Sequence, residues 1–365
     1  MAGKIDILVL GGDGIGPEIT AGTLAVLRAA DKKFALGLAF ETAEIGWAAH
    51  KRVGTTFPDE VAEKAKATQG VLLGPVSHNE YPPVAQGGLN PSGEMRKRLD
   101  LYANIRPARS RVGFPPRCGS PVDLVIVREN TEGFYADRSM HLGSGEFMPT
   151  SDVALAVRKI TREGSTRIAE SAFRLAIQRR KKVTAVHKAN VLRVSDGLYL
   201  ECVRAVAARY PEVKYDERII DAMAALLIRD ASQFDVVVTT NMHGDILSDE
   251  ASEIAGSLGL AASLNAGAEH AVAQAQHGSA PDIAGKNIAN PSSLIGSAAM
   301  LLAWLGERRG EKRLNDAAQA IERALDATIA DPASRTPDLE GSLGTDVFAQ
   351  RVAQALKRGD RLHLD

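Results

Sequence analysis

Residues 5–18 read IDILVLGGDGIGPE, and this stretch decides the fold. Ile5 to Leu10 is an apolar run of strand length, interrupted only by Asp6, that ends in glycines. Such a run suits a strand buried on both faces of a sheet. The loop after it invites the dinucleotide fingerprint G-x-G-x-x-G, which sits where a strand turns into a helix. The spacing does not fit: Gly12 and Gly14 supply the first two glycines, but Pro17 stands in the third place. Proline belongs in the first turn of a helix, where its missing N–H costs nothing. The expectation is therefore a tight turn opening a helix over residues 17–30, and not a standard Rossmann loop.

Outward from this stretch, short apolar runs recur at 70–73, 122–127, 183–186 and 235–239, each readable as a strand. Helix-like segments at 165–178 and 197–209 alternate with them. From about residue 291 the pattern is strongly helical: SLIGSAAMLLAWLG, then LNDAAQAIERALDATIA. The alternation predicts an α/β architecture with much parallel pairing. No low-complexity run, Gly/Ser linker or fixed-period repeat divides the 365 residues.

Composition narrows the function. Hydrophobic residues make up 45% and charged residues 24%, ample for a buried core. Net charge is −1 with both signs interleaved, so neither nucleic acid nor a membrane surface is expected as partner. The first apolar run is too short for a membrane span and lacks a cleavage site. Two cysteines, Cys118 and Cys202, form no disulfide framework and suit a reducing cytoplasm.

Several residues carry chemistry. Arg96, Arg106 and Arg128 offer guanidinium forks suited to bidentate capture of carboxylates. Each taken alone reads more readily as a surface or salt-bridged residue, but Arg128 stands at the mouth of a buried strand. In TTNMHGDILSD (239–249), Asp245 and Asp249 are four apart and share a helix face. Two such charges repel unless a cation lies between them, and hard oxygen ligands suit Mg²⁺ or Mn²⁺. Otherwise one aspartate caps the helix and the other is solvated. Asp221, after Ile219-Ile220, is a possible further ligand. Lys188 follows a strand directly, a place that suits an acid or base and equally suits an ordinary strand-end lysine. In HGSAPDIAGK (277–286), small residues permit close backbone approach to a ligand. Asp282 there could bond a ribose diol and repel a 2′-phosphate.

Taken in order, GGDGIGPE, DLYANIRPARSR, RENTEGFY, HKANVL, GDILSD, HGSAPDIAGK and RTPDLEG resemble the signatures of the isocitrate/isopropylmalate dehydrogenase family of β-decarboxylating dehydrogenases. The resemblance runs from Leu10 to about Phe348. Residues 100–135 are most similar in wording to homoisocitrate and NAD-dependent isocitrate members. It implies a two-domain α/β fold that is not a standard Rossmann fold. Residues 1–103 and 254–365 would form a large cofactor-binding domain. Residues 104–253 would form a smaller one carrying substrate, metal and dimer contacts. The active site would lie between them, completed by a second subunit of a homodimer or higher homo-oligomer.

By resemblance, Arg96, Arg106 and Arg128 clamp the carboxylates of a malate. Tyr135 protonates the carbon that loses CO₂, and Lys188 from the neighbouring subunit acts as base. Asp245 and Asp249, with the neighbour's Asp221, hold Mg²⁺ or Mn²⁺. Asn190 lies near the nicotinamide. His277, Gly278, Ser279, Ala280, Asp282, Ile283 and Asn290 surround the adenosine, and Asp282-Ile283 is the pattern of members using NAD. The implied reaction removes hydride from C2 and then CO₂ from the β-keto acid, with the metal as Lewis acid.

The group on C3 would be read by LNPSGEM (89–95). Asn90 and Ser92 make that wall polar and match no member cleanly. Polar groups disfavour a greasy substituent, since burial would leave them unpaired. An isocitrate- or homoisocitrate-like acid is favoured over 3-isopropylmalate and over tartrate or D-malate. A second departure is AQAQ at 273–276, where the family usually shows Phe-Glu-Pro-Val. Gln274 thus stands in place of a carboxylate, and a non-catalytic regulatory paralogue is the alternative of another class.

Overall fold

A computed structural model describes residues 4–135, 140–143 and 145–358. Its strands are β1 (Ile5–Leu10), β2 (Leu38–Ala43), β3 (Gly70–Leu73), β4 (Ala103–Arg109), β5 (Asp123–Glu129), β6 (Glu146–Thr150), β7 (Val153–Ala156), β8 (Lys182–His187), β9 (Lys214–Ile219), β10 (Val236–Thr239), β11 (Leu264–Ala266) and β12 (Ala271–Gln274). Its helices are α1 (Gly16–Phe34), α2 (Gly46–Val53), α3 (Asp59–Ala67), α4 (Pro91–Arg98), α5 (Arg162–Ile177), α6 (Ser195–Ala207), α7 (Ile220–Asp230), α8 (Asn241–Ala255), α9 (Ser292–Arg309), α10 (Lys312–Ala330) and α11 (Thr345–Arg358).

One mixed sheet runs β2-β1-β3-β12-β11-β4-β5-β10-β8-β9. Its two ends are parallel, β2-β1-β3-β12 and β5-β10-β8-β9. Between them β11 and β4 pair antiparallel with all their neighbours. The expected parallel pairing thus holds in each half, and the seam interrupts it. β6 and β7 form a separate hairpin.

Strand periodicity places the core on both faces. Ile5, Ile7 and Val9 of β1 pack with α1, α9, α10 and α11, while Leu8 and Leu10 point the other way, towards α3 and α4. In β5, Val125 and Val127 meet α5 and α6, and Leu124 and Ile126 meet α7 and α8. Burying each such aliphatic side chain contributes about 1.5–3 kcal/mol. No helix among the described residues is long and apolar enough to cross a membrane, and both cysteines are free thiols.

The glycine loop explains why the fingerprint fails. Gly12 and Gly14 have φ of 75° and 56°, in the left-handed region. What approaches them closely is protein backbone. A Cβ on Gly12 would lie 2.1 Å from the Pro75 carbonyl oxygen, and one on Gly14 would lie 2.0 Å from that of Ser279. The N–H groups of Asp13 and Ile15 donate to those same two carbonyls, at 2.8 Å each. Backbone donors that a Rossmann turn aims at pyrophosphate are spent here on joining three loops.

Candidate active site

β5 and α8 build the centre of the site. Arg128 closes β5 and is 1% exposed. A guanidinium so buried has to be engaged on several sides. Its Nε and Nη2 donate to Asn241 Oδ1 at 2.9 and 2.7 Å, and Nη1 donates to Asp245 Oδ1. The side chain runs against the first turns of α8. A Cβ on Gly244 would stand 2.7 Å from Arg128 Cβ and Cγ, so glycine is what lets the arginine pass.

α8 divides its faces by helical spacing. Asn241, Asp245, Ser248, Asp249 and Ser252 recur at steps of three and four, and Leu247, Ala251 and Ile254 pack into the core. Arg106, on the strand antiparallel to β5, reaches the polar face. Its Nη1 lies 2.8 Å from Ser248 Oγ and 3.3 Å from both Asp245 Oδ1 and Asp249 Oδ1, while Nε donates to Asn104 Oδ1 at 2.6 Å. Tyr135 Oη donates to Asp245 Oδ2 at 2.8 Å, and the Arg128 guanidinium carbon stands 5.4 Å from the Tyr135 ring centre. α4 delivers Arg96. Its neighbours Lys97 and Arg98 pair outside with Glu94, but Arg96 is buried.

Arg96, Arg106, Arg128, Tyr135 and Asp245 line one cavity of about 290 Å³, together with Asn90, Ser92, Gln274, Gln276, His277 and Gly278. Its electrostatics favour anions. Burial, and then the charge of Arg128, pushes Arg106 down to about 10. Burial also opposes the charge on Asp245, yet Arg128 and then Arg106 outweigh it and hold that carboxyl below the usual range. Arg96, Arg106 and Arg128 bring three positive charges to the side of the half-buried Asp245 and the exposed Asp249, an arrangement that suits a substrate carboxylate.

The loop at 277–283 borders this cavity. Ala280 has φ of 38°, and a short 3₁₀ turn follows at Pro281–Ile283. Ser279 is buried and its Oγ lies 2.8 Å from Ser77 Oγ. Burial lowers the pKa of His277. Asp282 is exposed. Asn290 is occupied internally: its Oδ1 accepts from Ser292 N at 2.9 Å and its Nδ2 donates to Asp338 at 3.0 Å.

Three expected residues lie elsewhere. Lys188 Nζ pairs with Asp221 Oδ1 at 2.5 Å, and neither lines the cavity. That pairing holds the Asp221 carboxyl below its ordinary value. Asn190 is exposed nearby in sequence. Among the described residues of the single chain, no group of three or more His, Cys, Asp or Glu stands together as a metal site. Asp245 and Asp249 are the two carboxylates that do converge, both on Arg106.

Sequence reading missed Asn241, Ser248 and Asn104, which hold the arginines. Asn241 and Ser248 were legible as helix neighbours of Asp245 and Asp249; Asn104 carried no signal. It also missed Asp13, whose buried carboxylate accepts from Trp47 N at 2.9 Å and Ser77 N at 3.0 Å.

Residues 6–356 match the family model described as isocitrate/isopropylmalate dehydrogenase. The chain belongs to the isocitrate/isopropylmalate dehydrogenase family. It is accordingly an oxidative decarboxylating dehydrogenase. Isocitrate/homoisocitrate dehydrogenase of Thermus thermophilus is 43% identical over 353 residues, which cover 96% of this chain and 98% of that one. The 3-isopropylmalate dehydrogenase of Sulfurisphaera tokodaii is 39% identical over 350 residues, with 96% and 98% coverage. A crystal structure of isocitrate dehydrogenase from Methylococcus capsulatus superposes with a TM-score of 0.86 at 39% identity, covering 97% of this chain and 99% of that one. Family members thus carry different substrate names, and the family alone leaves the acid open.

Proposed function

We propose that the protein oxidatively decarboxylates a 3-substituted D-malate with NAD and Mg²⁺ or Mn²⁺, preferring an isocitrate- or homoisocitrate-like acid. The observation that carries this reading is the buried guanidinium set around Asp245. Arg96, Arg106 and Arg128 bind and orient the malate carboxylates through charge-assisted forks. Asp245 and Asp249 of one protomer, with the partner's Asp221, would hold the divalent ion; the all-oxygen donor set fits a hard cation. When bound, the dinucleotide would supply the hydride acceptor for C2 and the ion would supply a Lewis acid for negative charge on the C2 oxygen. The partner's Lys188 takes the hydroxyl proton. Tyr135, protonated and hydrogen-bonded to Asp245, returns a proton to the carbon that loses CO₂.

The loop 277–283 with Asn290 and the partner's Asn190 takes the dinucleotide, and exposed Asp282 disfavours a 2′-phosphate. Residues 1–103 with 254–365 form the cofactor-binding domain, and 104–253 form the other. The segregation of the apolar clusters along the sheet supports that division. A homodimer is the working unit. Exposed Phe147, Met148 and Leu155 on the β6–β7 hairpin, and Ile228 and Ile246 on α7 and α8, support a second copy covering them. The free thiols suit the cytoplasm.

The test is a panel of 3-substituted malates with NAD or NADP and Mn²⁺, following NADH and CO₂ together. The expected result is NADH and CO₂ in equal amounts, NAD preferred, and loss of both with chelator. NADH without CO₂ would mark a simple hydroxyacid dehydrogenase, and no turnover with any acid would refute the proposal.

A further inference from the structure

Helix α8 offers two carboxylates to the proposed ion, and the protein holds them unequally. Asp245 is gripped by Arg106, Arg128 and Tyr135. The Asp249 side chain is 55% exposed, and Arg106 reaches its Oδ1 at 3.3 Å with a nitrogen that Ser248 and Asp245 share. Its shortest contact comes from beyond β12. Gln276, which lines the cavity, places Nε2 2.8 Å from Asp249 Oδ1 and 3.2 Å from Ser252 Oγ.

The surroundings fix the orientation of that amide. The Asp249 carboxylate only accepts. Ser252 Oγ spends its proton on the Ser248 carbonyl at 2.7 Å, so towards Gln276 it accepts as well. Two acceptors require the amino group, and the reverse orientation would set the amide oxygen against both. The arm is rooted in a rigid place. The Gln276 backbone N–H donates to Ser293 Oγ at 3.1 Å, and Ser293, fully buried in the first turn of α9, donates to the Ala261 carbonyl. Gln276 Oε1 is buried and accepts from no described residue. An unpaired buried acceptor opposes this pose, so the contacts of the amino group are what hold it.

The consequence lies in which oxygens are used. The described donors to Asp249 all sit on Oδ1, and Oδ2 accepts from no described residue. One oxygen of a carboxylate can therefore serve the protein while the other serves an ion. We infer that Gln276 is a positioning residue for the divalent ion, holding the Asp249 carboxylate in one pose so that Oδ2 stays free for it. This rests on the metal reading above and goes beyond it by adding a residue that acts through a ligand rather than as one. An exposed aspartate without that tie has to be ordered when the ion arrives, and the ordering weakens binding.

Mn²⁺ titrations followed by electron paramagnetic resonance, with and without isocitrate and in the absence of dinucleotide, test this in the wild type, Gln276→Met and Ser252→Ala. Gln276→Met keeps the length of the side chain and removes the donor. It should raise the Mn²⁺ Kd about threefold to tenfold, the range expected when one side chain must be newly ordered. Ser252→Ala leaves the bond to Asp249 in place and should shift the Kd by less than about twofold. In turnover with NAD, the Mn²⁺ concentration for half-maximal rate should rise with the Kd in Gln276→Met, while kcat at saturating Mn²⁺ falls by less than about twofold. A Gln276→Met Kd at or below the wild-type value overturns the inference, as does a loss of kcat at saturating Mn²⁺ with the Kd unchanged. Equal shifts in both variants overturn it too, since they mark a general loosening of the loop. If the wild type binds Mn²⁺ but forms no NADH, the Kd comparison still decides the inference, and only the catalytic reading falls. A wild type that binds no Mn²⁺ brings down both.

Discussion

Arg128 shows how one side chain is prepared for an anion. Its three nitrogens are aimed by Asn241 and Asp245, and its guanidinium carbon lies 5.4 Å from the Tyr135 ring centre. A lysine there would supply the charge without the fork. Arg128→Lys should therefore lower kcat/KM about 100- to 1,000-fold while the protein stays folded, as judged by steady-state kinetics and circular dichroism. Asp245 answers to the same arginines. Burial works against its charge, but Arg128 and Arg106 lower its folded pKa. A depressed carboxyl stabilises the fold fully above its unfolded value and loses that contribution as pH falls through the folded one. The stability gap between wild type and Asp245→Asn should thus be widest near neutrality and close as pH drops below about 4. Urea titrations at several pH values measure it, and a gap that widens in acid would refute the assignment. At this scale the arginines and aspartates were legible because few other residue types bind carboxylates or hard cations. Asn104 was not, because a buried asparagine gains meaning only from what folding places beside it.

Helix α8 carries the argument at the scale of elements. Its polar stripe was readable from the spacing of Asp245 and Asp249, but the need for Gly244 was not, since it arises from a strand distant in sequence. Gly244→Ala should push against Arg128 and destabilise the fold by about 1–3 kcal/mol. Gly197, inside α6, meets nothing within 4 Å where a Cβ would stand. Gly197→Ala should instead stabilise by about 0.5–1 kcal/mol, by improved helix propensity. Chemical denaturation of the two variants gives opposite shifts if this account holds. The strongly apolar strands β1, β3, β5, β8 and β10 were legible from composition alone. β4 was hidden by Arg106-Pro107, and proline argues against a central strand. The structure resolves this: β11 pairs β4 only over residues 103–105, so Pro107 falls where one edge is open. The β6–β7 hairpin was hidden because its apolar residues face outward rather than into a core.

Across the whole molecule, the antiparallel seam of β11 and β4 lies between two parallel halves, and the cavity draws residues from both. Arg96 and Gln274 come from one side, and Arg128, Tyr135 and Asp245 from the other. The failed glycine fingerprint pointed to this architecture early, because Gly12 and Gly14 are used up in joining loops. What the sequence could hint at only by resemblance is the second subunit. Lys188 and Asp221 stand together away from the cavity, partly exposed and paired with each other. On the account given, that pair serves the partner's cavity, and each active site is shared between two chains.

Mixing two inactive variants tests that claim most directly. Tyr135→Phe and Lys188→Ala are each expected to abolish most turnover, since each removes a proton-transfer group from every site. When the two are unfolded together and refolded as a random mixture, about half the dimers are hybrids with one intact site in two, so about a quarter of wild-type activity should return. A mixture as inactive as its parents, with hybrid dimers demonstrated by mass spectrometry, would contradict the shared site.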